Sequence, residues 1–199
     1  MTAGKTTVSH ILLVFAFVVG ATGLASCADS EADVVFEGDF EVEGCGQFFP
    51  WSPTVAGFTK VETSGAGLMR FYEFESRPPT QNNNFVLFVE DIDTIRNSIG
   101  SPFDVNIGLE DRPAEISHAA LTINSFCDDQ GETSAQFEGT VTFDAFGLSD
   151  GDRIRGSFDG VFRNARDTDE ILADNVTATF SFVYRPNEPY QPFPQGSHP

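Results

Sequence analysis

The side chains best able to do chemistry in this chain are few. His118 is the only histidine of its central stretch, since His10 and His198 lie close to the two ends. A serine nucleophile needs an oriented base beside it, and no Gly-x-Ser-x-Gly turn is present to supply one. His118 is therefore read as a surface or packed residue flanking a strand. Zinc is disfavoured, because one histidine and two cysteines fit to be bridged do not make the usual nitrogen and sulfur set. Glu73 and Glu75 share one strand face and are the candidate acid and nucleophile for glycoside hydrolysis. That chemistry needs two carboxylates across a cleft, so solvated strand residues are the plainer reading.

Acidic loops are candidates for calcium, which takes six to eight oxygens. They are Asp128-Asp129-Gln130-Gly131-Glu132, Asp150-Gly151-Asp152 and Asp167-Thr168-Asp169-Glu170. None has the EF-hand spacing, so each is read as an acidic turn, and no metal site, catalytic residue or cofactor is assigned. The strongest binding candidate is aromatic. In Gln47-Phe48-Phe49-Pro50-Trp51-Ser52-Pro53, two prolines hold Phe48, Phe49 and Trp51 in place. Such rings stack on a sugar or clamp a partner at low entropy cost. The competing expectation, and the favoured one, is a core plug that closes one end of the domain.

The first 27 residues carry a different message. Lys5 and the amino terminus give a positive start, the run from Ile11 to Gly20 is apolar, and Leu24-Ala25-Ser26-Cys27 closes the segment. The run is shorter than the roughly 20 apolar residues a bilayer span requires and has the tripartite form of a secretory signal. Leu24-Ala25-Ser26-Cys27 resembles the lipobox of bacterial lipoproteins. The resemblance implies cleavage before Cys27, a diacylglyceryl group on its thiol and acylation of the new amino group. Ala28 follows the cysteine instead of the aspartate that retains enteric-type lipoproteins in the inner membrane. The resemblance thus implies a cell-envelope protein, lipid-anchored, with the outer membrane favoured. The stretch with Gly139-Thr140-Val141-Thr142 and Ile154-Arg155-Gly156-Ser157-Phe158 also resembles uncharacterised β-rich lipoproteins of bacterial outer membranes, a likeness that implies no activity.

With Cys27 acylated, Cys45 and Cys127 remain as an even pair in an oxidising compartment. A disulfide between them is the simplest reading, and two buried free thiols are the alternative.

Charge narrows the partners. Residues 1–26 hold only Lys5 as a charged side chain, so the remainder carries 10 basic against 30 acidic groups. Such an excess repels phosphate backbones and anionic lipid headgroups, which leaves the lipid as the membrane contact and argues against nucleic acid. Phenylalanine occurs 21 times, which supplies the apolar area that disordered acidic chains lack.

The elements that must position these residues read as strands. Val34, Phe36, Phe40 and Val42 alternate with acids over 33–42, a period of two. The same period recurs at 137–143, 153–162 and 175–184, with Ser149-Asp150-Gly151-Asp152 as a turn. Further strands are expected at 68–74, 85–89, 103–109 and 119–126, with 85–89 apolar on both faces and so doubly covered. Short helices are expected at 93–99, capped by Asp93, and at 167–173. Phe36-Glu37-Gly38 is echoed by Phe137-Glu138-Gly139, and such in-strand glycines mark bulges or backbone covered by an aromatic ring.

The expected fold is all-β, an antiparallel β-sandwich of about eight or nine strands, with a β-barrel as the alternative. The organisation is a signal at 1–26, a tether at 27–32, the β domain at 33–185 and a proline-rich tail at 186–199. The expected function is structural or interactive, through the anchor and a protein or glycan partner. A carbohydrate-binding module is the alternative and a glycoside hydrolase-like enzyme comes third.

Overall fold

A computed structural model describes residues 32–42, 46–60, 65–73, 83–105, 116–123, 133–186 and 191–192. Cys27, Cys45, Cys127, Glu75, His198 and the loop at 128–132 lie outside them.

The described chain is antiparallel β structure with one short helix. Its strands are β1 (Ala32–Val42), β2 (Gly46–Gln47), β3 (Val55–Lys60), β4 (Gly67–Tyr72) and β5 (Asn84–Val89), followed by helix α1 (Ile92–Asn97). Then come β6 (Pro102–Val105), β7 (Ile116–Ile123), β8 (Thr133–Phe146), β9 (Arg153–Asn164), β10 (Ile171–Val183) and β11 (Gln191–Pro192). They form a single sheet in the order β11-β3-β4-β5-β7-β8-β9-β10-β1-β2, with β6 beside β8 in line with β7. The all-β antiparallel expectation is met, and within it the strands form one curled sheet, close to the barrel alternative, in place of two facing sheets.

Ring contacts between strands that are not neighbours establish the curl. Phe36 of β1 lies 5.1 Å from Phe85 of β5, Phe71 of β4 lies 5.6 Å from Phe180 of β10, and Phe158 of β9 lies 5.1 Å from Phe85. These rings are at most 2 % exposed. Burying each contributes roughly 1.5–3 kcal/mol, and edge-to-face pairs add about 0.5–1.5 kcal/mol. The alternation in β8 to β10 and β1 is the direct cause: between bulges every second residue points inward, and phenylalanine is the commonest of those.

Bending long strands into so tight a curl needs places without side chains. Gly139 of β8 is paired with Gly160 of β9, and Gly160 with Val176 of β10. A Cβ on Gly160 would come within 2.2 Å of the Glu138 carbonyl oxygen and 2.8 Å of the Gly139 Cα. Gly38 continues this row into β1, where the register shifts between Glu37 and Asp39 and φ is 140°. The sequence echo around Gly38 and Gly139 is thus a shared bend, as expected of in-strand glycine, and it lets the sheet close over its rings.

Three local expectations change. The helix begins earlier: Asp91 is its cap, accepting from the Thr94 N–H at 3.0 Å, and Asp93 sits in the first turn. Burial of Ile92 and Ile95 sets that start. No helix forms at 167–173; a turn closes through Glu170 N–H to the Asp167 carbonyl, and Ile171 already begins β10. β5 is not covered on both faces, since Phe88 is 37 % exposed while Phe85, Leu87 and Val89 face the core. The expected turn at 149–152 is present, with Gly151 at φ 88°.

Candidate functional site

The aromatic segment lies along the free edge of β1. Phe36 and Trp51 exchange backbone hydrogen bonds of 2.9 and 3.0 Å, and the Phe48 N–H donates to the Phe40 carbonyl. The chain then enters β3 at the far end of the sheet order, so this segment spans the seam between the two ends of the sheet. The peptide before Pro50 is cis.

Phe48, Phe49 and Trp51 are 5 %, 3 % and 4 % exposed. Their rings stack inward, Trp51 5.2 Å from Phe36 and Phe49 5.3 Å from Phe40. They occupy the core-plug position and offer no open face to a sugar. Only the indole N–H of Trp51 reaches a polar group, the Glu73 carboxylate, at 3.4 Å. The same Glu73 oxygen accepts from the Asn83 side-chain amide at 2.8 Å, and the Glu73 N–H donates to the Asn83 carbonyl at 3.0 Å. Asn83 is the buried polar residue of this group, 5 % exposed. Sequence reading passed over Asn83, because nothing in a run of three asparagines marks which one turns inward. This constellation satisfies a buried indole and a buried amide with one carboxylate. What it does chemically is hold the plug.

The remaining candidates are dispersed. His118 lies in β7, in register with Phe88 of β5 and through it with Leu68 of β4, at the other end of that strand from Glu73. The carboxylates of the described acidic loops are used within the chain. Asp152 accepts from the Ser149 N–H at 2.8 Å, Asp150 faces Arg185 at 3.3 Å, and Asp167 accepts from the Asp169 N–H at 3.3 Å. Among the described residues no three histidine, cysteine or acidic side chains come together as a metal site.

What the fold does assemble are two outer faces. Across β1, β10, β9, β8 and β6 one register row reads Glu37, Thr177, Asp159, Thr140, Asp104. Carboxylates on every second strand stand about 10 Å apart, too far to share one cation. Arg163 pairs with Glu138, and Arg155 lies 3.7 Å from Asp144, so charge on this face is partly neutralised from within. Across β4, β5 and β7 the outer face mixes Leu68, Val86, Phe88 and Ala120 with Arg70, Tyr72, Asn84 and Thr122. No family model, no curated protein and no solved structure is significantly similar to this chain.

Proposed function

We propose that this chain is a lipid-anchored protein of the cell envelope whose role is structural or interactive and is carried by the outside of its curled sheet. The observation behind this reading is where the aromatic residues go. Phe36, Phe71, Phe85, Phe158 and Phe180 fill the concave side with centroid separations of 5.1–6.4 Å, and Trp51 closes the seam. An interior occupied by its own side chains leaves binding to the outer faces, and a buried Trp51 weighs against the carbohydrate-binding alternative.

The anchor follows from residues 1–27 and fits the fold. β1 begins at Ala32, so the tether from Cys27 is short and the sheet sits near the bilayer. Two or more acyl chains make attachment stable where one is marginal, each buried methylene contributing about 0.8 kcal/mol. In this reading Cys45 and Cys127 are paired by a disulfide and the outer membrane is the destination.

Metabolic labelling with a fatty acid tests the anchor. The native protein should take up label and partition with membranes, and Cys27→Ala should lose both. Equal labelling of the two proteins would end the lipoprotein reading.

A further inference from the structure

We propose that Asn175 is an attachment site for an N-linked glycan. Asn175-Val176-Thr177 is the one Asn-x-Ser/Thr sequence in the chain with a residue other than proline between, the acceptor pattern for asparagine glycosylation. A three-residue pattern of this kind arises readily by chance, so the structural setting carries the argument.

That setting has three parts. Asn175 and Thr177 are exposed on either side of Val176, which is fully buried, so the acceptor amide and the hydroxyl two residues on are both accessible from outside. Asn175 also has no partner in either ladder. β1 pairs with Asp174 and then Thr177, and β9 pairs with Ala173 and then Val176, so Asn175 is the extra residue of a bulge on both sides. Its amide thus projects from backbone that no neighbouring strand holds flat.

The third part is a choice of residue. Among the described residues, positive φ falls on Gly38, Gly46, Gly65, Gly100, Gly139 and Gly151, and on Asn175 alone of the non-glycines, at φ 50°. Glycine adopts that conformation without steric cost, and asparagine is the side chain that tolerates it best. The chain uses asparagine at the one bulge where the next residue but one is an exposed threonine. That choice fits the backbone and keeps an acceptor amide where glycine would keep none.

In the transfer, the Asn175 Nδ2 bonds to the anomeric carbon of an oligosaccharide donated by a lipid pyrophosphate carrier. The bond from that carbon to the pyrophosphate oxygen breaks, the pyrophosphate leaves with the electron pair, and the amide proton passes to a base of the transferase. The proposal rests on the extracytoplasmic reading above, because the carrier presents its sugar on that side of the membrane.

The test is intact-mass and peptide mass spectrometry of the full protein purified from its own cells. The peptide containing residues 175–177 should carry sugar on Asn175. Thr177→Ser should keep it, whereas Thr177→Ala and Asn175→Gly should return that peptide to its sequence mass. Asn175→Gly suits the positive φ, so its unchanged far-ultraviolet circular dichroism would separate loss of glycan from loss of fold. An unmodified Asn175 in a protein that begins at Cys27 overturns the glycan and leaves export standing. An unmodified Asn175 in a protein that retains residues 1–26 overturns both.

Discussion

The two halves of the sheet solve the same problem differently. β8, β9, β10 and β1 are long, 14, 12, 13 and 11 residues, and bend at a row of glycines. β3, β4 and β5 have six residues each and β7 has eight. The long half reaches across the molecule, supplies Phe137, Phe158, Phe162, Phe180 and Phe36 to the core, and shows acids, arginines and hydroxyls outside. The short half meets those rings with Phe71, Phe85 and Leu87 and shows a mixed face outside, Leu68, Val86 and Phe88 beside Arg70, Tyr72 and Asn84. Curvature therefore has a cost only where strands are long, and a glycine row is how the long strands meet it.

The largest effect that would break this comparison is removal of the shared core. Phe158 is 2 % exposed and lies within 5.1–6.4 Å of Phe36, Phe71, Phe85, Phe137 and Phe180, rings from both halves. Phe158→Ala should cost about 3–5 kcal/mol, seen as a melting temperature lower by roughly 10 °C or more. Phe88→Ser, on the outer face of the short half, should stay within about 0.5 kcal/mol of the parent. Equal losses in urea melts of the two variants would mean that the curl does not join the halves through these rings.

The bend comes next. At Gly160 an added methyl would meet the backbone of the neighbouring strand, the Glu138 carbonyl oxygen at 2.2 Å, and backbone cannot turn aside as a side chain does. Gly160→Ala should cost about 2–3 kcal/mol. Gly151, in the β8–β9 turn, has open space around it, so Gly151→Ala meets only the strain of φ 88° and should cost less. If the two glycine variants melt alike, the row is not what bends the long strands.

The same division explains what the sequence made legible. In the long half each strand alternates except at its bulges, because one face is core and the other water, and strands at 33–42, 137–143, 153–162 and 175–184 are found where the pattern puts them, with bounds shifted by a few residues. In the short half the strands expected at 68–74, 85–89 and 119–126 are met over their described residues by β4, β5 and β7, but the pattern misses β3. β3 reads Val-Ala-Gly-Phe-Thr-Lys, with its first four residues buried and no alternation, and it was not expected. β5 is apolar on both faces although only one is covered. One sheet in place of two was beyond the pattern, since period two fixes which residues face inward but not whether the facing layer is a second sheet or the same one returning. The plug was legible as the favoured reading at Phe48, Phe49 and Trp51, whereas its partners Glu73 and Asn83 come from chain turns that no local signal links. The bulge at Asn175 left no mark in the alternation either, because an extra residue looks like a shift of phase.

The smallest effect concerns the link between β5 and β6, where α1 depends on one carboxylate. Asp91 accepts from the Thr94 N–H at 3.0 Å and the Thr94 hydroxyl at 2.9 Å. These bonds, the backbone one first, hold the Asp91 pKa below its ordinary 3.8, against a small opposing push from desolvation. A carboxyl depressed in the folded state stabilises the fold above the unfolded pKa and loses that contribution as pH falls through the folded value. The cap should therefore be intact at neutral pH and weaken only below about pH 4. A side-chain titration followed by nuclear magnetic resonance should place Asp91 below the ordinary aspartate value, and Asp91→Asn, which keeps an N-cap acceptor, should remove the acid-dependent part of the change at Thr94 while keeping the helix. An Asp91 that titrates at the ordinary aspartate value would show that the cap does not favour the charged form, and the connection would then rest on the burial of Ile92 and Ile95 and on its backbone hydrogen bonds, Ile92 N–H to Gly65 and Gly100 N–H to Phe143 among them.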